Sequence, residues 1–331
     1  MAVRPLRDRL WRKRLTAIER AWSAAREGDP SGVHQLRVGS RRIREALPVM
    51  GDADRPRHLN RVRREVRSLT RALGPVRERD VSLRLLATLE QEYPDDRAAI
   101  QLVRRMITVE RKDFHEELGK HLDARPLKKL VKKLMRAAKP PKTSGDHHGN
   151  DKTTPNKTDD RRWRMALAIQ VARRAKQLRE AIEHAGALYT PNRLHDVRVM
   201  TKKLRYVLEL GQEGQIGRWG VAIRSLTRMQ DILGWLHDRE VLLERVRAFD
   251  ASQGTPVMST SLDRLTRLLE EDTRRYHAKF EHDRERLLKL CATIRQQASH
   301  AIPIGRPAPR RIAAPHHRAT QETTARRNAA R

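Results

Sequence analysis

His34-Gln-Leu-Arg37-Val-Gly-Ser-Arg41-Arg42-Ile43-Arg44-Glu-Ala-Leu47 and His195-Asp-Val-Arg198-Val-Met-Thr-Lys202-Lys203-Leu204-Arg205-Tyr-Val-Leu208 align without a gap at an offset of 161 residues. Asp29-Pro30 precedes the first copy and Thr190-Pro191 the second, each a capping residue followed by proline at the first helical position. On a helix turning roughly 100° per residue, His34, Arg37, Arg41 and Arg44 fall in one arc of roughly 80°. Leu36, Ile43 and Leu47 fall opposite. In the second copy His195, Arg198, Lys202 and Arg205 share the cationic arc, and Val197, Leu204 and Leu208 the apolar one. Arg42 and Lys203 sit at the edge of the stripe.

A second block repeats at nearly the same distance: Leu73-Gly74-Pro-Val-Arg-Glu78-Arg79-Asp80-Val81 aligns on Leu233-Gly234-Trp-Leu-His-Asp238-Arg239-Glu240-Val241 at an offset of 160. Two blocks at matching offsets mark a duplicated architecture. The remaining pattern is helical throughout. It predicts helices near 5–28, 30–50, 56–73, 75–92, 95–122 and 125–138 in the first half. In the second it predicts 161–187, 191–211, 217–233, 235–250 and 259–297. Gly74 and Gly234 read as helix ends that permit a turn. Alternating β-branched and aromatic runs bounded by turns are missing, so no strand is expected. The fold class is therefore all-α, as two related antiparallel bundles.

At 331 residues the chain has room for two domains, each burying its own core. The divisions expected are 1–138 and 161–298. Lys139–Asp160, rich in Pro, Gly, Ser, Thr and Asp, reads as a disordered linker, and Ser299–Arg331 as a disordered basic tail. The net charge is +31. The tail carries seven Arg and one Glu, so about +25 stays with the rest and the positive charge belongs to the folded part. Such a charge attracts polyanions of any kind, whether nucleic acid, acidic membrane or polyphosphate. Cys291 is the only cysteine, which excludes an internal disulfide and a Cys-based zinc site. The opening residues lack the apolar run of a signal peptide, and no segment approaches the ~20 apolar residues of a membrane span, so a cytoplasmic protein is expected.

A cationic stripe opposite an apolar one is ordinarily just the solvated face of an amphipathic helix. Here no Glu or Asp at helical spacing is read as relieving the stripe, and the duplication kept its sign at every position, which favours an anion site. The next helix offers Arg57, Arg61, Arg64 and Arg71 opposite Leu59, Val62, Val66, Leu69 and Leu73. Only Arg64 has a basic counterpart at the repeat offset, Arg224, so these two are supporting candidates. Arg79 and Arg239 are flanked by acids, and ion pairing suits them as well as ligand contact. His34 and His195 each have a cation three residues on, which favours the neutral imidazole. As metal ligands they lack a companion at i+3 or i+4, and as phosphoryl acceptors they lack an orienting carboxylate. No metal, cofactor or catalytic residue is expected.

The HxxRVxxRRxR block, its HxxRVxxKKxR partner and the Leu73–Asp80 block resemble the CHAD family, the conserved histidine α-helical domain, over roughly residues 5–298. The resemblance implies two helical bundles related by a pseudo-two-fold axis, with a basic cavity between them that binds inorganic polyphosphate, often on polyphosphate granules. Its implied lining is His34, Arg37, Arg41, Arg42 and Arg44, then His195, Arg198, Lys202, Lys203 and Arg205. Lys202-Lys203 replaces the Arg pair of the first copy, keeping charge but losing the bidentate fork. The ExExK strand of the triphosphate-hydrolysing domain sometimes fused to this family is not found, so no hydrolase domain is expected. The leading expectation is a non-enzymatic polyphosphate binder. The alternatives are weak, non-specific nucleic-acid binding, disfavoured by 4% aromatics, and a phosphoryl-transfer or metal-binding protein using the paired histidines.

Overall fold

The computed structural model describes residues 5–51, 55–122, 124–138, 155–253 and 256–300. Its elements are α1 (Leu6–Arg26), α2 (Pro30–Met50), α3 (Pro56–Glu92), a short 3₁₀ turn (Pro94–Asp96), α4 (Arg97–His121), α5 (Ala124–Ala137), α6 (Pro155–Ala185), α7 (Pro191–Glu213), α8 (Gly220–Gln253) and α9 (Pro256–His300). No strand occurs among the described residues, as the periodicity predicts. Helices α1 to α4 pack in sequence, each on the next, and α6 to α9 do the same. Equivalent helices then meet across the two halves, α2 on α7, α3 on α8 and α4 on α9, the pairing that a two-fold relation produces.

Asp29 caps α2 as its sequence suggests, its carboxylate accepting from the Gly32 amide at 2.6 Å. Thr190 precedes α7 without a side-chain capping bond, so there Pro191 alone marks the start.

The expected break after Leu73 and Leu233 does not occur. Both Leu-Gly blocks lie inside long helices, and Pro75 sits within α3. Leu73 and Val76 are fully buried on either side of Gly74-Pro75, so the apolar stripe continues through the block, and its burial outweighs the lost proline amide. Two further boundaries move. Helix α6 begins at Pro155 and α9 runs on to His300, so Pro155–Asp160 and Ser299–His300 are helical rather than linker and tail. The rest of that linker and tail, 139–154 and 301–331, lies outside the described residues.

The two halves share their apolar interior. One cluster joins Ile18, Leu36, Ile43 and Leu73 of the first half to Leu178, Leu204, Leu226 and Phe280 of the second. A smaller cluster unites the far ends of α3 and α4 with those of α8 and α9, through Leu86, Ile100 and Ile107 beside Leu242, Leu265 and Leu269. Buried indoles are satisfied: Trp11 donates to the Leu134 carbonyl at 3.2 Å and Trp22 to that of Leu122 at 2.9 Å.

Glycines in this framework differ sharply in what they do. A Cβ on Gly32 would stand 2.6 Å from the Ala24 backbone, where α1 and α2 cross, whereas a Cβ on Gly234 would meet nothing within 4 Å. Gly32→Ala is therefore expected to lower stability by about 1–3 kcal/mol through overpacking. Gly234→Ala, at a mid-helix position, is expected to raise it by about 0.5–1 kcal/mol. Denaturant unfolding of the two variants measures both.

Candidate functional site

Burial of the apolar rails sets the direction of everything opposite them. Leu36, Ile43 and Leu47 of α2 and Val197, Leu204 and Leu208 of α7 are buried to 2% exposure or less. Because α2 and α7 meet where the halves join, their cationic faces turn toward a common trough. One bay of it encloses about 390 Å³ and is lined by His34, Arg37, Arg41 and Arg42 from α2 and by Arg198, Lys202, Arg205 and Tyr206 from α7. Arg77 and Glu78 of α3 and Gln230, His237 and Asp238 of α8 also line it. A second bay of about 430 Å³ is lined by Arg44, Arg67, Arg71 and Lys203. Arg37, Arg41, Gly74, Lys202 and Tyr206 line both bays, so the two lie side by side on a shared wall.

The guanidiniums are held in place rather than loose. Arg37 donates to the Thr70 carbonyl at 2.6 Å, and the Ser40 and Thr70 hydroxyls lie 2.9 Å apart, fastening α2 to α3 beneath it. Gly74 has a use other than ending a helix, since its Cα lies so near Arg37 that a Cβ would stand 3.3 Å from Nη1. Arg205 donates to Gln230 at 2.9 Å and to Glu209 at 2.6 Å, with Tyr206 packed 5.0 Å from its guanidinium carbon.

Relief by carboxylates is partial, and it corrects the reading of an unrelieved stripe. Glu209, one turn beyond Arg205, pairs with it and with Arg42 at 3.0 Å. Asp238 approaches Arg198 at 3.6 Å. Glu45 is taken by Arg174 at 2.6 Å, and Glu78 by Arg79 and Arg245. Among the described residues Arg41, Arg77 and Lys202 have no carboxylate or hydrogen-bond partner, and Nε of Arg44 and Arg198 and Nη1 of Arg77 are buried without one.

This crowding shifts the titrating groups. Burial, then Arg198 and Arg41, hold the Lys202 ammonium well below its ordinary range. Burial and the neighbours Arg41, Arg198 and Arg77 push Arg37 down to about 9, so it keeps its charge at neutral pH. His34 falls to about 4, from burial first and then Arg77, Arg84, Lys202 and Arg41. His195 is solvent-exposed and outside the lining of both bays. Partial burial, then His237 at 5.0 Å between ring centroids and Arg198, lower its pKa as well.

The supporting candidates lie elsewhere. Arg79 pairs with Glu110 at 3.0 Å and stacks on Phe114, while Arg239 pairs with Asp272 and stacks on Tyr276. Both therefore pin α3 to α4 and α8 to α9. The repeat positions facing the trough are Arg77 and His237, two residues earlier. Those two positions are roughly 200° from Arg79 and Arg239 about the helix axis. Arg64 and Arg224 are exposed and outside both bays. On α3 the lining cations are Arg67, Arg71 and Arg77. Of these, Arg77 stands beside the apolar stripe rather than opposite it.

A family model described as the CHAD domain matches residues 9–247. Among solved structures, PptA from Streptomyces chartreusis aligns with a TM-score of 0.53 at 17% identity, covering 90% of this chain and 100% of that one. The CHAD domain from the plant Ricinus communis aligns with a TM-score of 0.49 at 20% identity, covering 87% of this chain and 89% of that one. A comparison with curated proteins finds no match. At such identities the structural likeness is one of fold.

His34 registers its burial and the neighbouring cations together. With its folded-state pKa at about 4 against an ordinary 6.5, it binds fewer protons folded than unfolded between those values. The stability it contributes is thus intact above about 6.5 and drains away as pH falls toward 4. A proton-detected titration of the free protein is expected to place the His34 midpoint near 4; a midpoint at the ordinary value would mean that the surrounding cations are screened.

Proposed function

We propose, from the premise that the chain belongs to the CHAD family, that the trough between its halves binds inorganic polyphosphate and holds it without reaction. One observation carries this reading: Arg37, Arg41 and Lys202, from both copies of the repeat, converge on both bays, and two of the three have no protein partner. Phosphate oxygens supply the missing acceptors. Arginine forks meet them in pairs, Lys202 and Lys203 as point charges, and a chain that repeats its phosphates engages several cations at once. A bound phosphate also favours the protonated imidazole, so His34 is expected to take up a proton on binding.

The shape favours a slim ligand. Bays of about 390 and 430 Å³ with partly buried cations suit a single phosphate chain, whereas a nucleic-acid duplex could touch only their rims. Holding rather than catalysis fits the surroundings. Phosphoryl transfer generally relies on carboxylates that hold Mg²⁺. The acids bordering the trough are engaged by arginines. No helix among the described residues is long and apolar enough to cross a membrane, and residence on polyphosphate granules would suit such a binder.

Arg41→Glu combined with Lys202→Glu is expected to weaken polyphosphate binding by about a hundredfold or more, since each charge-assisted contact contributes about 1.5–3 kcal/mol. Helicity by circular dichroism should be unchanged; unfolding instead would show that these cations are structural. In competition at equal phosphate concentration and moderate salt, duplex DNA should fail to displace long-chain polyphosphate. Phosphate release in the presence of Mg²⁺ that is abolished on changing His34 and His195 would contradict the non-catalytic reading.

A further inference from the structure

Helix α5 follows the four helices that repeat, and it divides sharply into two faces. Leu130, Leu134 and Ala137 are buried, while Lys128, Lys129, Lys132 and Arg136 are exposed on the other side. The segment Ala124–Ala137 holds no acidic residue. It packs on α3, where Lys133 Nζ lies 2.7 and 2.8 Å from the Glu65 carboxylate oxygens, and Arg61 Nε lies 3.7 Å from the same group. Glu65 is the sole acid between Arg55 and Arg77, and two cations already match it.

From that point a row of arginines returns to the trough. Arg61, Arg64 and Arg67 are spaced by three residues, close enough for neighbouring side chains to share a ligand. Each step of three turns the row roughly 60° about the helix axis. It therefore winds from the solvent face beside α5, over the exposed Arg64, to Arg67 in the wall of the second bay. Exposed positive charge thus continues from the second bay toward α5.

We propose that this band is a second track, over which a polyphosphate chain seated in the trough continues across α3 onto the exposed face of α5. The inference rests on the reading of the trough given above, and adds to it a preference for chains long enough to leave it. The buried apolar side of α5 removes the wedge that an interfacial membrane helix needs, so the exposed face offers charge alone. Lysine and arginine heads on a convex surface suit a flexible chain that arrives already tethered, because its second contacts are then intramolecular.

The test uses the full chain carrying Lys128→Gln, Lys129→Gln, Lys132→Gln and Arg136→Gln together, with tripolyphosphate and long-chain polyphosphate as probes over a range of salt. Long-chain affinity is expected to fall about tenfold or more, with a salt slope shallower by about 2–4, while tripolyphosphate binding stays unchanged. An unchanged long-chain affinity and slope would overturn the track, as would an effect confined to duplex DNA. The Arg41→Glu, Lys202→Glu chain is measured in parallel. If it still binds tripolyphosphate, the trough reading fails, whatever the α5 variant does.

Discussion

Like charges do not gather in a half-buried space unless something else fixes their positions. Here the fixing is done by the opposite faces of the same helices. Leu36 and Ile43 of α2 and Val197 and Leu204 of α7 are fully buried, and a helix has only two sides, so Arg37, Arg41, Arg198 and Lys202 are obliged to share the trough. Burial first, and repulsion from the neighbouring cations after it, move the pKa values of Lys202, Arg37 and His34 downward. The cost is offset by the apolar clusters that run through both halves. What remains is a fixed, focused positive potential waiting for a polyanion.

The two walls of the trough are not equal, although they come from a duplication. At one repeat position the first half has Arg77 and the second His237; at the next, both acids line the bay, Glu78 paired with Arg79 and Arg245 and Asp238 with Arg198. Arginine forks dominate the first wall, and Lys202 and Lys203 contribute compact charges to the second. A uniform phosphate chain tolerates that inequality, because every unit of it presents the same oxygens. Among the described residues the asymmetry also extends outward, since the basic helix α5 follows the first half without a counterpart after the second.

Much of this was legible in the residues, for reasons of periodicity. The stripe His34, Arg37, Arg41 and Arg44 and its repeat were visible because helix geometry converts spacing directly into direction. What escaped were features that depend on a neighbour. Gly74-Pro75 reads locally as a break, yet buried Leu73 and Val76 carry α3 straight through it. Arg77 and His237 were hidden for another reason: each lies about 40° from the buried Leu73 or Leu233 on its helix, beside the apolar stripe where helical phase announces no ligand-facing group. Glu209 was readable at one turn from Arg205, but its second partner Arg42 belongs to another helix. The pairing of Arg174 with Glu45 joins residues 129 positions apart, and no local pattern announces it.

The central claim is that a phosphate chain lies between the two cationic helices. A structure of the full chain with long-chain polyphosphate at moderate salt tests it most directly. Phosphates running from Arg77 past Arg37 and Arg41 to Lys202 and Lys203, with Arg79 and Arg239 untouched, are the predicted result. A chain confined to outer surfaces, with the space between Arg41 and Lys202 holding only solvent, would contradict it.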